Sequence, residues 1–330
     1  MNMMITSPRA DRFAIASAFI CGILLATPQV LAQEGVVEST KNAQQIAVLH
    51  WYKAGQAVQF PVGTRPTALA FDGEHVWVTN SFANTVTELR VSDGANLATV
   101  STGLSPSGVA FDGANIWVTD FGSNDVLKIR ASDGKVLGSF LTGHGPQSVA
   151  FDGANTWVAN GFSNSVTRLR ASDGANLGTF PAGSSPVSVA FDGANMWVAN
   201  LGSNTVSKLR GSDGANLGTF TVGKRPVALA FDGANMWVTN ESDNTVTKLR
   251  ASDGATQGTF AAGVNPNGIA FDGANTWVAN NLSSGTVTKI RASDGVSLGT
   301  FPVGSFPFGV AFDGAHIWVA NGVSNTVSKL

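Results

Sequence analysis

The chain has 330 residues, with 20 basic against 22 acidic side chains, 38 glycines, 20 phenylalanines, 8 tryptophans and only 13% charged residues. This composition suits many short strands joined by tight glycine turns around an extensive apolar core, and it excludes a largely disordered chain. It also lacks the basic excess of a general nucleic-acid or anionic-membrane binder.

Residues 1–32 read as a signal peptide. Arg9 and Arg12 make a basic start, Phe13 to Ala26 is an apolar run, and Val30, Leu31 and Ala32 close the segment where a signal peptidase cuts. The run is shorter than the roughly 20 apolar residues of a membrane span, and no later stretch reaches that length, so the mature chain is expected to carry no transmembrane anchor. The expected address is periplasmic or secreted. Cys21, the single cysteine, leaves with the leader, so no disulfide supports the fold. Without the leader the chain carries 18 basic and 21 acidic side chains, a net charge of about −3. Residues 33–55 form a lead-in segment in which Ile46 to Trp51 resembles part of a strand.

From residue 56 to residue 330 the chain repeats. The tripeptide Phe-Asp-Gly begins at Phe71, Phe111, Phe151, Phe191, Phe231, Phe271 and Phe312, and six residues later stand Trp77, Trp117, Trp157, Trp197, Trp237, Trp277 and Trp318. The spacing is 40 residues except for one extra residue between Asn280 and Thr286, a loop insertion. In the copy from Pro186 to Gly223, strands are predicted over Val187 to Phe191, Met196 to Ala199, Thr205 to Arg210 and Asn216 to Phe220, with Asp-Gly turns in two of the three gaps. A four-stranded meander with two apolar faces cannot bury both alone, so the copies must stack. Seven such copies predict an all-β, seven-bladed propeller. The seventh copy stops after its third strand, Thr326 to Leu330, whereas Ala57 to Phe60 before the first copy has the fourth-strand pattern. The N-terminal strand is therefore expected to complete the last blade and to remove an exposed edge.

The stretches Trp77-Val78-Thr79-Asn80 with Asn84-Thr85-Val86, and Trp237-Val238-Thr239-Asn240 with Asn244-Thr245-Val246, resemble the YVTN family of β-propeller repeats, with tryptophan in place of tyrosine. The repeat is also similar to NHL and virginiamycin B lyase-like propellers. This resemblance implies an envelope, surface or periplasmic protein with one of several binding roles. In virginiamycin B lyase-like enzymes the chemistry rests on clustered histidines and glutamates at the central face. Here only His144 and Glu241 lie in loops that reach such a face, two and a half blades apart. His75 and His316 replace the asparagine of a first hairpin turn, and there is no CxxC, HExxH, Walker loop or GxSxG. No catalytic residue, metal ligand or cofactor is assigned, and a monomer is expected.

The copies differ most in two loops that leave the same end of the blades. One precedes the first-strand proline and the other follows the second strand. Candidate binding residues on this variable face are Arg65, His144, Gln147, Lys224, Arg225, Asn265, Asn267, Phe306 and Phe308, with Phe82, Phe121, Phe162 and Glu241 on the companion loops. They predict a binding or scaffolding module for a protein, peptide or glycan partner, with Arg65, Lys224 and Arg225 available to an anionic group. Drift in exposed loops is the bland alternative. A lyase or lactonase-type enzyme with a divalent metal at the central opening is the competing function, and it requires carboxylates and histidines converging on the axis.

Overall fold

A computed structural model describes residues 57–330, which fold as 28 strands in seven four-stranded antiparallel sheets. The expected leader, Cys21 and the lead-in segment 33–55 lie outside the described residues. The fourth blade runs Pro186–Phe191, Asn195–Asn200, Thr205–Arg210 and Asn216–Thr221, each strand within one residue of its predicted ends. The Asp-Gly turn works as its chemistry dictates. Asp192 Oδ1 accepts the N–H groups of Ala194 and Asn195 at 2.9 and 2.6 Å, and Gly193 takes φ 93°, which a side chain would resist.

The seventh sheet closes the ring. Val58–Pro61 pairs antiparallel with Thr326–Lys329, Val58 opposite Lys329 and Pro61 opposite Thr326, so the first strand of the chain supplies the fourth strand of the last blade.

The core lies between blades as well as within them. Each tryptophan packs on the next blade: Trp77 and Val86 of blade one meet Ile116, Val118 and Ile129 of blade two. Trp318 of blade seven meets Val76, Val78 and Leu89 of blade one, which seals the circle. In six blades the indole also lies against a fourth-strand phenylalanine at 5.3–5.7 Å between ring centroids; in blade seven this is Phe60 of the closing strand.

All seven indole N–H groups donate to the Phe-Asp-Gly aspartates at 2.7–2.8 Å. Burial alone would raise the pKa of Asp192, yet it is lowered, because the Trp197 indole, the Asn195 and Ala194 backbone N–H groups and the Asn195 amide all favour the carboxylate. The Asp192→Ala variant is expected to cost about 2–3 kcal/mol, since it strands the Trp197 N–H in the core. Asp213→Ala, in the exposed Arg210–Asp213 ion pair at 2.9 Å, is expected to shift the urea midpoint far less. Equal shifts of the two midpoints would contradict this division of labour.

Candidate functional site

The innermost strand of every blade faces the axis, where a channel of about 250 Å³ is lined by residues of all seven blades. Twenty residues line it, including Thr67, Ser107, Gln147, Val187, Val227, Asn267 and Phe308 at the position after each first-strand proline. None of the twenty carries a titratable side chain. The axial wall offers hydroxyls, amides and apolar groups.

At one mouth of this channel the two variable loops of each blade are tied to each other. Ser81 N donates to Arg65 O (2.9 Å) and Phe82 N to Thr64 O (3.2 Å), and the same pair of bonds recurs as Gly161 to Gly145 and Phe162 to His144. A second tie runs between blades. The loop asparagine of one blade accepts, through its side chain, the N–H of the residue before the next blade's proline: Asn84 from Ser105, Asn164 from Ser185, Asn204 from Arg225 and, across the closing seam, Asn325 from Arg65, at 2.8–2.9 Å. Those donating residues hold left-handed backbone, with φ 56° at Arg65, 54° at Ser105, 50° at Ser185 and 54° at Arg225. The main chain is thus fixed by hydrogen bonds to backbone and to the repeated loop asparagines, not to the side chains that differ between copies. These are free to vary on a rigid frame.

The candidate residues fall into separate groups on that frame. Arg65 lies over the rings of Phe82 (4.6 Å) and Phe308 (5.5 Å), joining a loop cation to an aromatic of the channel wall. Phe121 and Phe162 meet edge to face at 5.3 Å, above Gly145, where a Cβ would collide with both rings. Arg225 Nε donates to Glu241 Oε2 at 2.7 Å, so its charge is met within blade five. Gln147 and Asn267 line the channel, and His144, Lys224 and Asn265 are exposed on the loops. Phe82 and Phe162 are 65% and 72% exposed, and Leu104, Val264 and Val323 add apolar surface on the same loops.

No protein-family model matches the chain, and no curated protein sequence does. Solved structures share its fold. The chain is similar to a chain of Kuenenia stuttgartiensis hydrazine synthase (TM-score 0.72, 16% identity, 82% of this chain and 97% of that one) and to a streptogramin B lyase (0.71, 17%, 83% and 96%). It is also similar to a catalytically inactive virginiamycin B lyase from Staphylococcus aureus, solved with quinupristin (0.71, 18%, 83% and 98%). At these identities the likeness is one of fold.

The opposite face is built of turns. Arg90–Asp93, Arg130–Asp133, Arg170–Asp173, Arg210–Asp213, Arg250–Asp253 and Arg291–Asp294 form six exposed ion pairs at 2.8–3.1 Å. Its uniformity breaks in blade one, which sequence reading missed. Glu88 stands where six blades carry lysine or arginine, and it lies 3.2 Å from His75 Nδ1. Burial raises its pKa, His75 offsets part of the rise and Asp72 adds to it.

Blade two holds a second departure, beneath the variable loops. Asp120 replaces the asparagine that ends the second strand, and Asp125 opposite it replaces a threonine or serine. In blade one the asparagine amide donates to Thr85 and Thr87, but Asp120, with no exposed surface, has no hydrogen bond to either carboxylate oxygen. Desolvation pushes its pKa up to about 7; the Gly103 N–H and Thr102 hydroxyl, near it but outside hydrogen-bond geometry, lower it only in part, and Asp125 raises it further. Comparing the strand ends across copies, rather than the loops, would have exposed both positions.

With a folded-state pKa above the unfolded one, Asp120 binds more protons folded than unfolded between about pH 4 and pH 7. Its contribution therefore falls as pH rises through that window. Asp120→Asn restores the residue of the other blades and is expected to stabilise the protein at pH 8 by about 2–4 kcal/mol, with no gain at pH 4. Thermal unfolding of both proteins across that range measures the difference, and parallel stability curves would reject the assignment.

Proposed function

We propose that the chain is an exported, non-enzymatic propeller of the YVTN-repeat kind that binds a protein, peptide or glycan partner on its variable-loop face. One observation carries this reading: exposed phenylalanines and the Arg65 cluster stand on a hydrogen-bonded loop frame at the mouth of a channel whose wall has no titratable group. Apolar aromatic anchors on a rigid frame suit recognition, because little side-chain freedom is lost on binding. The axial wall, by contrast, offers no histidine or carboxylate to act as acid, base or metal ligand, which disfavours the lyase or lactonase alternative at that position. A net charge of about −3 likewise disfavours nucleic acid.

The test compares wild type with one doubly substituted variant. Wild type is expected to capture a partner from the envelope fraction of its own cell. Phe82→Ala/Phe162→Ala, which removes two exposed rings and leaves the core untouched, should weaken that capture about tenfold or more with an unchanged melting temperature. Equal capture by both proteins would defeat the reading, as would turnover of a lactone or macrocyclic peptide by the purified chain.

A further inference from the structure

Six blades share a motif on the tryptophan face. A lysine or arginine of the third strand, Lys128, Arg168, Lys208, Lys248, Lys289 or Lys329, sits 4.7–5.2 Å from the indole centroid of its own blade. Five of these cations also donate across the seam to a backbone carbonyl of the next blade, as Lys128 Nζ does to Ala171 O at 2.6 Å and Lys329 Nζ to Val91 O at 2.7 Å. The indole held by the aspartate on its N–H thus carries a cation over its ring.

Blade one breaks the motif at three positions together. Glu88 replaces the cation, His75 replaces the turn asparagine, and Val100 replaces the phenylalanine over the indole. Glu88 is 8% exposed, so the substitution places a second carboxylate beside Asp72 in a nearly buried position. It forfeits both the cation over Trp77 and the bond across the seam. Drift on a solvated surface does not account for a change this costly. The three side chains converge: His75 Nδ1 lies 3.4 Å from Asp72 Oδ2 and 3.2 Å from Glu88 Oε1, and all three donor atoms are within 4.8 Å of one another. Donors bound to one zinc ion at 2.0–2.1 Å with tetrahedral angles lie about 3.3–3.4 Å apart.

Asp72 is already oriented as a ligand. Its Oδ1 accepts the backbone N–H groups of Glu74 and His75 at 2.9 and 2.6 Å, and its Oδ2 accepts the Trp77 indole at 2.8 Å while keeping a lone pair. The equivalent positions in blade five, Asp232, Asn235 and Lys248, line a surface cleft of about 600 Å³ against blade six, so this part of the rim opens to solvent. Blade seven is an internal control. It has the same aspartate and histidine, with His316 Nδ1 3.3 Å from Asp313 Oδ2, but keeps Lys329 in place of the glutamate.

We infer that Asp72, His75 and Glu88 form a divalent transition-metal site of the zinc class on the rim of blade one, the metal taking the place of the missing cation. One imidazole and two carboxylates favour Zn²⁺ over Mg²⁺ or Ca²⁺, and water completes the coordination. The site is independent of the variable face and of the reading proposed for it.

Calorimetric titration of the chelator-stripped full chain with Zn²⁺ tests the inference. Wild type is expected to take up one equivalent and to melt at a higher temperature with the metal. His75→Asn and Glu88→Gln should each weaken binding by about tenfold or more and abolish the thermal shift. Glu88→Lys, which restores the residue type of the other blades, should abolish both while melting no lower than metal-free wild type. His316→Asn should leave binding unchanged. Absence of uptake by wild type, unchanged affinity in His75→Asn and Glu88→Gln, loss of binding in His316→Asn, or displacement of the zinc by equimolar Ca²⁺ would each overturn it.

Discussion

The structure depends on the hydrogen bond between each tryptophan indole and the aspartate five residues before it. One carboxylate caps the hairpin turn with one oxygen and anchors the largest core side chain of the blade with the other. Because that tryptophan packs on the following blade, the same bond sets the turn, the sheet and the seam between sheets. Repeating it around a closed ring makes each blade depend on both neighbours. The closing strand therefore matters beyond the few residues it contains: Phe60 supplies the ring that covers Trp318, and its loss would leave the seventh seam unfinished.

The two faces of the ring are constructed differently. On the turn face, fold and side chain are inseparable, since Asp93 and its equivalents cap the very backbone they decorate and pair with Arg90 and its equivalents. On the loop face, backbone-to-backbone bonds and the asparagine grips carry the structure. A phenylalanine, histidine, lysine or serine can follow at the next position without cost to the frame. Sequence variation on that face is thus structurally permitted, and the exposed rings of Phe82 and Phe162 are what selection or drift has placed there.

The strands, the blade count and the closure were legible in the sequence because a 40-residue repeat with Asp-Gly turns leaves few alternatives. The channel wall was not. In blade one the register slips between Pro66 and Leu69, and Thr67, Ala68 and Leu69 all reach the channel. Simple alternation would have assigned Ala68 to the opposite side from its neighbours. Gln147, Asn267 and Phe308 were identified from their place in a variable loop, and the bulge turns them to the axis. Asp120 and Glu88 escaped notice because they occupy strand positions, where a single polar exchange looks like noise until the partner across the strand is known.

A repeat this regular measures the cost of each exception, because six other copies show the alternative that folds. Val for Phe at Val100 trades one apolar side chain for another. Asp for Asn at Asp120 and Glu for Lys at Glu88 bring carboxylates into nearly buried sites, against desolvation that burial makes severe. These two exceptions lie in adjacent blades but answer to different environments. Asp120 faces Asp125 and has no ion-pair partner among the described residues, so a proton is the simplest neutralising partner. Glu88 faces an imidazole and an aspartate whose other bonds are already made, three donor atoms that a metal ion can share. The same physical pressure, a carboxylate in a nearly buried site, thus meets different donor atoms in the two blades.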